Sequence, residues 1–269
     1  MKRIVFTDLD GTLLDSVTYS YEKSLVGIKR LKQNGIPIIF CSAKTRAEQE
    51  VYRRKMEVVH PFIVENGGAI FIPQGYFPFS FNYDKSINEL LVIELGIPYK
   101  EIRKLLDKIR KQGNFHFRGF GDMSAEEVAR ETGLDIESAK LAKQREYDET
   151  VKFDVTHEVN ETLEKIKQAG LNCAHGGRFY DVMGENDKGK AVTIISSLYR
   201  QTWGEIETMG LGDSLNDLPM LSVVDIPILV QRKDGSWENI NLPNLRKVQG
   251  IGPEGWSRAI EESGVPYFL

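Results

Sequence analysis

The 269-residue chain is 41% hydrophobic and 28% charged, enough for one large α/β domain or two unequal ones with a well-buried core. Its formal net charge of -4 leaves no basic excess, which argues against nucleic-acid binding through phosphate neutralisation. Two cysteines, Cys41 and Cys173, form neither a disulfide framework nor a metal-ligand spacing and read as core thiols in a reducing compartment.

The first residues meet acidic positions after a short apolar stretch, unlike a signal or transit peptide, and no run approaches the roughly 18 apolar residues of a membrane helix. The expectation is a cytoplasmic protein with no membrane partner and no nucleic-acid partner. Residues 2–7 form an apolar run that stops at Asp8, the pattern of a buried parallel strand with polar groups at its carboxyl end. Leu25, Ile28 and Leu31 give helical spacing over residues 21–34, closed by Gly35. Residues 36–41 read as a second strand ending in Ser42, residues 45–55 as a charged helix, and residues 60–65 as a third strand running into Asn66-Gly67-Gly68. This βαβαβ series predicts an α/β fold with a doubly wound, Rossmann-like parallel sheet.

Between about residues 82 and 184 the rhythm changes. Charged helices are predicted at residues 87–95, 99–112, 124–132 and 136–144, with Gly133-Leu134-Asp135 as a helix break and fewer strands, so the segment reads as an inserted α+β domain. The first pattern then returns, with a helix at 189–199, a strand at 207–211, a short helix at 217–223 and a strand at 225–230. Residues 1–81 and 185–269 are therefore expected to form one discontinuous core domain around an insert at 82–184. Gly235-Ser236-Trp237 reads as a surface turn carrying a packed aromatic ring.

The chemistry-bearing residues fall at the ends of these elements. Asp8-Leu9-Asp10-Gly11-Thr12 follows the first strand directly, where open α/β sheets collect their ligands. One aspartate of such a pair can attack phosphorus, and the other can protonate the leaving oxygen and later deprotonate water. The alternative is a solvated turn. Ser42 ends the second strand and reads either as a phosphate ligand or as a helix N-cap. Lys188 opens a helix, where an ammonium can neutralise a phosphoryl group or remain a solvated surface charge. Gly212-Asp213-Ser214-Leu215-Asn216-Asp217 follows the strand at 207–211 and adds two carboxylates of the kind Mg²⁺ takes with water and phosphate oxygens.

These four pieces, in this order, resemble the motifs of the haloacid dehalogenase superfamily of phosphatases. The resemblance implies Asp8 as nucleophile, Asp10 as general acid and base, and Ser42 and Lys188 as phosphate ligands in a site that includes Thr12. It also implies Mg²⁺ held by Asp8, the backbone carbonyl of Asp10 and Asp213, with Asp217 and Asn216 supporting the metal or Lys188. The insert resembles the large cap of the Cof-type branch, which closes over the sugar end of a substrate.

Within that branch, Ser42-Ala43-Lys44-Thr45-Arg46, Glu65-Asn66-Gly67-Gly68, the stretch from Gln144 to Glu149 and His175-Gly176-Gly177-Arg178-Phe179 are similar to the mannosyl-3-phosphoglycerate phosphatase family. Lys44, Arg145 and Arg178 can pair with anions, while Asn66, Glu146 and His175 can hydrogen-bond sugar hydroxyls. The family pattern has Glu-Pro where this chain has Glu149-Thr150, and residues 145–149 read alternatively as an exposed charged loop. His175 and Arg178 read alternatively as a turn between two strands. The implied reaction converts mannosyl-3-phosphoglycerate to mannosylglycerate. The rivals are phosphatases of glucosyl-3-phosphoglycerate, sucrose 6-phosphate or trehalose 6-phosphate, a phosphomutase, or a non-catalytic binding module. That last would be expected to have lost Asp8, Asp10, Lys188 or Asp213.

Overall fold

The computed structural model describes residues 1–113, 115–154, 158–176 and 179–266. Its elements in chain order are β1 (Lys2–Thr7), α1 (Leu25–Gln33), β2 (Ile38–Phe40), α2 (Arg46–Met56), β3 (Phe62–Val64), β4 (Ala69–Pro73), β5 (Lys85–Ile87) and β6 (Leu90–Glu94). Next come α3 (Tyr99–Gly113), β7 (Phe117–Gly119), α4 (Ala125–Thr132), α5 (Ile136–Ala142), β8 (Asp148–Phe153), α6 (Val159–Gln168), β9 (Asn172–Gly176) and β10 (Phe179–Met183). The chain closes with α7 (Lys188–Trp203), β11 (Ile206–Gly212), α8 (Leu218–Leu221), β12 (Ile226–Gln231), β13 (Arg246–Ile251) and α9 (Pro253–Glu262).

Five strands in the order β13-β12-β11-β1-β2 form a sheet whose pairings are all parallel. Successive residues of β1 are apolar because both sheet faces are covered. Val5 packs in one cluster with Ile28 and Leu31 of α1 and with Trp256 and Ile260 of α9. Phe6, facing the other way, packs with Val192, Ile195 and Tyr199 of α7. The expected doubly wound core is therefore present, with β1 between β11 and β2 and these parallel strands delivering their carboxyl ends to one edge.

Two expectations change. Among the described residues, β3 pairs with the parallel sheet through an isolated bridge between Cys41 and Ile63, and otherwise pairs antiparallel with β4. It opens a second sheet in the order β3-β4-β6-β5. Residues 87–95, expected as a charged helix, instead supply β6 of that sheet, joined to β5 by a turn in which Asn88 has φ +52°. The run Leu90, Leu91, Val92, Ile93 is apolar and partly β-branched, a strand composition that the flanking charges obscured.

The remaining sheet, β7-β8-β10-β9, is antiparallel and packs against α3 and α6 through Ile102, Leu106, Ile109, Val151 and Ile166. Ile102, Leu106 and Ile109 recur at helical spacing, which gives α3 one buried stripe. The predicted break is real: Gly133 ends α4 at φ +83°, and Asp135 caps α5 by accepting from the Ser138 N–H. Trp237 packs against the core and donates from Nε1 to the Val248 carbonyl at 3.2 Å. Cys41 is buried and Cys173 half-buried. Among the described residues, no helix is long and apolar enough to cross a membrane.

Trp256 locks α9 to both α1 and β1. Its indole N–H donates to Thr7 Oγ1 at 3.0 Å, and its ring lies so close to Gly27 that a Cβ there would stand 2.6 Å from it. Trp256→Ala is expected to lower the unfolding free energy by about 3–5 kcal/mol, read as a fall in the urea midpoint, because a fully buried ring leaves a cavity that the rigid sheet cannot fill.

Candidate active site

The carboxyl end of β1 is a hairpin-tight turn. Leu14 N–H donates to the Leu9 carbonyl at 2.7 Å and Gly11 N–H to the Leu14 carbonyl at 2.9 Å, while Leu9 is fully buried. Gly11 has φ +80°, and a Cβ there would meet Asp213 Oδ2 at 2.7 Å, so the turn needs glycine both for its conformation and for the approach of β11. This geometry leaves Asp8 buried at the sheet edge and Asp10 lining a cavity.

Around Asp8 the chain assembles charge from distant segments. Lys188 Nζ, at the first position of α7, donates to Asp8 Oδ1 at 2.7 Å and to Asp217 Oδ1 at 2.6 Å. Asp217 Oδ2 in turn accepts from the backbone N–H groups of Asp213 at 3.0 Å and Ser214 at 3.1 Å, which shapes the loop after β11. Asp213 Oδ1 accepts from Thr12 Oγ1 at 3.0 Å. Asp8, Asp213 and Asp217 each offer an oxygen within 4.8 Å of the others.

Three buried carboxylates thus face one ammonium. Burial pushes the Asp8 carboxyl up to about 7, with Lys188 opposing and Asp217 and Asp10 adding to the rise. Burial, with Asp217 and Asp8 nearby, holds Asp213 well above the usual carboxylate range. Lys188 is the reverse case: burial opposes its charge, but Asp217 and Asp8 keep it firmly protonated. An all-oxygen donor set with surplus negative charge at a strand end fits a hard divalent cation. Because both oxygens of Asp217 are already engaged, Asp8 and Asp213 are the carboxylates best placed to face one.

Ser42 stands two residues beyond β2, whose last registered pair is Phe40 with Thr7, so it neighbours Asp8 across the sheet end. It is not the helix N-cap. Thr45 takes that part in a reciprocal capping box with Glu48, and Ser42 Oγ accepts from the Lys44 N–H at 3.3 Å. Lys44 is buried and pairs with Asp10 at 3.0 Å and Glu48 at 3.2 Å.

The segment around Arg145–Asp148 and the strand carrying Asp181 contact this edge at several points. Arg145 donates to Asp148 Oδ1 at 2.7 Å and to the Ala43 carbonyl at 2.9 Å. Glu65 accepts backbone N–H groups from Glu146, Tyr147 and Asp148, a fixed anchor for the segment entering β8. Asn66, with φ +54°, donates to Asp181 Oδ2 at 3.0 Å and accepts from Asn216 Nδ2 at 3.2 Å, linking the Asp213 loop to the insert. Asp10, Lys44, Arg145 and Asp181 line one cavity of about 310 Å³ together with Phe120, Thr150 and Phe179. A second cavity, beside Lys188, is lined by Asn66, His175 and Asn216.

Sequence-predicted residues fare unequally. Asp8, Thr12, Lys188, Asp213 and Asp217 meet in one cluster, with Ser42, Asn66 and Asn216 at its margin. The Glu146 carboxylate does not line the Asp10 cavity: it is held by Arg46 Nε at 2.8 Å on the other side of the segment. His175 is exposed and stacks on Tyr180, its centroid 4.4 Å away. Arg178 lies outside the described residues. Sequence reasoning missed Asp181, Tyr19, Phe120 and Phe179, which reach the cavity only through tertiary folding. It also gave no part to Glu48, although the Thr45-x-x-Glu48 spacing was readable as a capping box.

Comparison with known proteins matches this geometry. Residues 5–236 match the family of haloacid dehalogenase-like hydrolases. The chain is 52% identical to a glucosyl-3-phosphoglycerate/mannosyl-3-phosphoglycerate phosphatase of Methanococcoides burtonii, over 97% of this chain and 96% of that protein. It is 43% identical to a mannosyl-3-phosphoglycerate phosphatase of Pyrococcus horikoshii, over 86% of this chain and 91% of that one. A crystal structure of a Thermoplasma acidophilum protein superposes with a TM-score of 0.72 at 17% identity, covering 99% of this chain and 100% of that chain. The family match includes the end of β1, the Asp8 turn, Lys188 and the Asp213 loop within one span, and the chain belongs to the haloacid dehalogenase-like hydrolases.

Proposed function

We propose that the chain is a Mg²⁺-dependent phosphatase that removes phosphate from mannosyl- or glucosyl-3-phosphoglycerate through an aspartyl-phosphate intermediate on Asp8. The observation that carries the reaction type is the buried contact of Lys188 with both Asp8 and Asp217 beside Asp213. Support for the substrate comes from the names of relatives that cover nearly the whole chain at 40–52% identity.

In this reading Asp8 attacks phosphorus with the carboxylate that Lys188 orients, and a P–O bond to the glycerate oxygen breaks. Asp10, which lines the neighbouring cavity, gives its proton to that departing oxygen. It then takes a proton from water as the water attacks the aspartyl phosphate, which returns Asp8 and releases inorganic phosphate. Asp8, Asp213 and the backbone carbonyl of Asp10 would hold Mg²⁺, which supplies positive charge that lets an anionic carboxylate approach an anionic ester. Lys188 and Ser42 hold phosphoryl oxygens, and Asp217 holds Lys188. The inserted domain serves as the cap that excludes bulk water and receives the sugar. A reaction of this kind on a small phosphorylated metabolite is consistent with a cytoplasmic setting.

Phosphate release with Mg²⁺ is expected to be strongest from mannosyl- and glucosyl-3-phosphoglycerate among a panel that also holds sucrose 6-phosphate, trehalose 6-phosphate and 3-phosphoglycerate, and EDTA is expected to abolish it. Broad, weak release from all five would keep the phosphatase and discard the substrate, whereas silence with and without EDTA would favour a binding module. Asp8→Asn should reduce turnover by about 10⁴-fold or more while the melting temperature holds. Retention of turnover by that variant would end the covalent mechanism. Lys188→Met should remove activity and also lower the unfolding free energy by about 3–5 kcal/mol, measured in urea, because two buried carboxylates lose their ammonium.

A further inference from the structure

The turn carrying Asp10 continues into a short loop that is more ordered than a solvated connection requires. Asp15 Oδ1 accepts from the N–H groups of Val17 at 2.9 Å and Thr18 at 2.8 Å, and the Asp15 carbonyl accepts from Tyr19 N–H at 2.9 Å. Asp15 N–H then donates to the Ser20 carbonyl at 2.9 Å, closing the loop on itself. Next to that closure Tyr19 has φ +56°. A bulky side chain is a genuine outlier in that region, where glycine or asparagine sits without strain, and strain of this kind collects at ligand-contacting positions.

What the strained position presents is an aromatic ring beside the reaction centre. Tyr19 is half-buried. It lines the cavity of about 310 Å³ that Asp10 opens on, a volume at the lower end of small-ligand sites. The Lys44 ammonium that pairs with Asp10 stands 5.0 Å from its ring centroid. Its hydroxyl donates to the Thr132 carbonyl at the end of α4, 3.4 Å away, so the ring spans from core to insert. Phe120 and Phe179, packed edge to face at 5.4 Å, add apolar wall, and Asp181 adds an acceptor.

We propose that Tyr19 is a specificity residue of this enzyme: its ring forms the wall against which the sugar of the leaving group lies, next to the oxygen that Asp10 protonates. This rests on the phosphatase reading above. A hexose has C–H faces suited to an aromatic surface and hydroxyl edges suited to carboxylate acceptors, and the cavity offers both. 3-Phosphoglycerate, which lacks the ring, gains nothing from this wall, so Tyr19 raises preference for the glycosylated ester.

The test compares kcat and KM for mannosyl-3-phosphoglycerate and 3-phosphoglycerate in the full-length enzyme, Tyr19→Gly and Tyr19→Phe. Glycine accepts the backbone conformation, so the first variant removes the ring without straining the loop, which an unlowered melting temperature checks. The ratio of kcat/KM for the two esters is expected to fall about ten-fold or more in Tyr19→Gly, chiefly through KM for the glycosylated ester. In Tyr19→Phe, which keeps the ring, it should stay within about two-fold of the parent. An unchanged ratio in Tyr19→Gly, or equal losses on both esters, overturns the proposal, as does a collapse of the ratio in Tyr19→Phe. A parent enzyme that shows no preference for the glycosylated ester overturns the substrate reading, and this role of Tyr19 with it, before any variant is compared.

Discussion

One buried ammonium organises the reaction edge of this protein. Lys188 bonds Asp8 and Asp217, which lie 180 and 29 residues from it in sequence, and all three side chains are sealed from water. Burial of this kind is tolerable only because each charge has a partner, and here the pairing is incomplete: Asp213 makes three carboxylates against one cation. Burial, with the neighbouring carboxylates adding to it, lifts Asp8 and Asp213 above their ordinary values, and the surplus negative charge suits a divalent cation. The helix start at α7, the glycine turn at Gly11 and the loop shaped by Asp217 are all arranged around that shortage.

A second charged network lies on the insert side and is, by contrast, closed. Lys44 is shared between Asp10 and Glu48, and Arg145 is bonded to Asp148 with Glu65, Asp181 and Glu48 adding to the field that keeps it protonated despite burial. The sequence suggests both cations as anion anchors. In the folded chain both are paired with carboxylates of the protein. Their stronger physical role is to hold Asp10 and the segment leading into β8 in place, while the cavity they border stays rich in acceptors.

Legibility in the sequence follows how local each feature is. Asp8, Asp213 and Lys188 were readable because each sits at the junction of a strongly patterned element and a turn, where the chain itself marks the edge of the sheet. Ser42 was ambiguous from sequence, and only the capping box at Thr45 and Glu48 resolves it. Residues 87–95 misled because their flanking charges resemble an amphipathic helix, while their pairing with β4 depends on a strand twenty residues earlier. Glu146 shows the limit for side chains: its charge type was evident, but the direction it points is set by Arg46 on another element. Tyr19 and Asp181 carry no local mark at all, since what distinguishes them is a backbone angle and a cross-domain neighbour.

The contact between core and insert depends on two adjacent residues in unusual conformations. Glu65 and Asn66 both have positive φ, at +47° and +54°, and a Cβ on the following Gly67 would stand 2.1 Å from the Asp187 carbonyl. Left-handed backbone at a glutamate costs free energy that a plain loop would avoid. The bend sends the Glu65 carboxylate to three N–H groups of the insert and the Asn66 amide to Asp181 and Asn216. One strained turn therefore ties the segment entering β8, the β10 carboxylate and the Asp213 loop into a single hydrogen-bonded path. That path runs beside the reacting groups, so β10 and the loop carrying Asp213 are joined through the one side chain of Asn66.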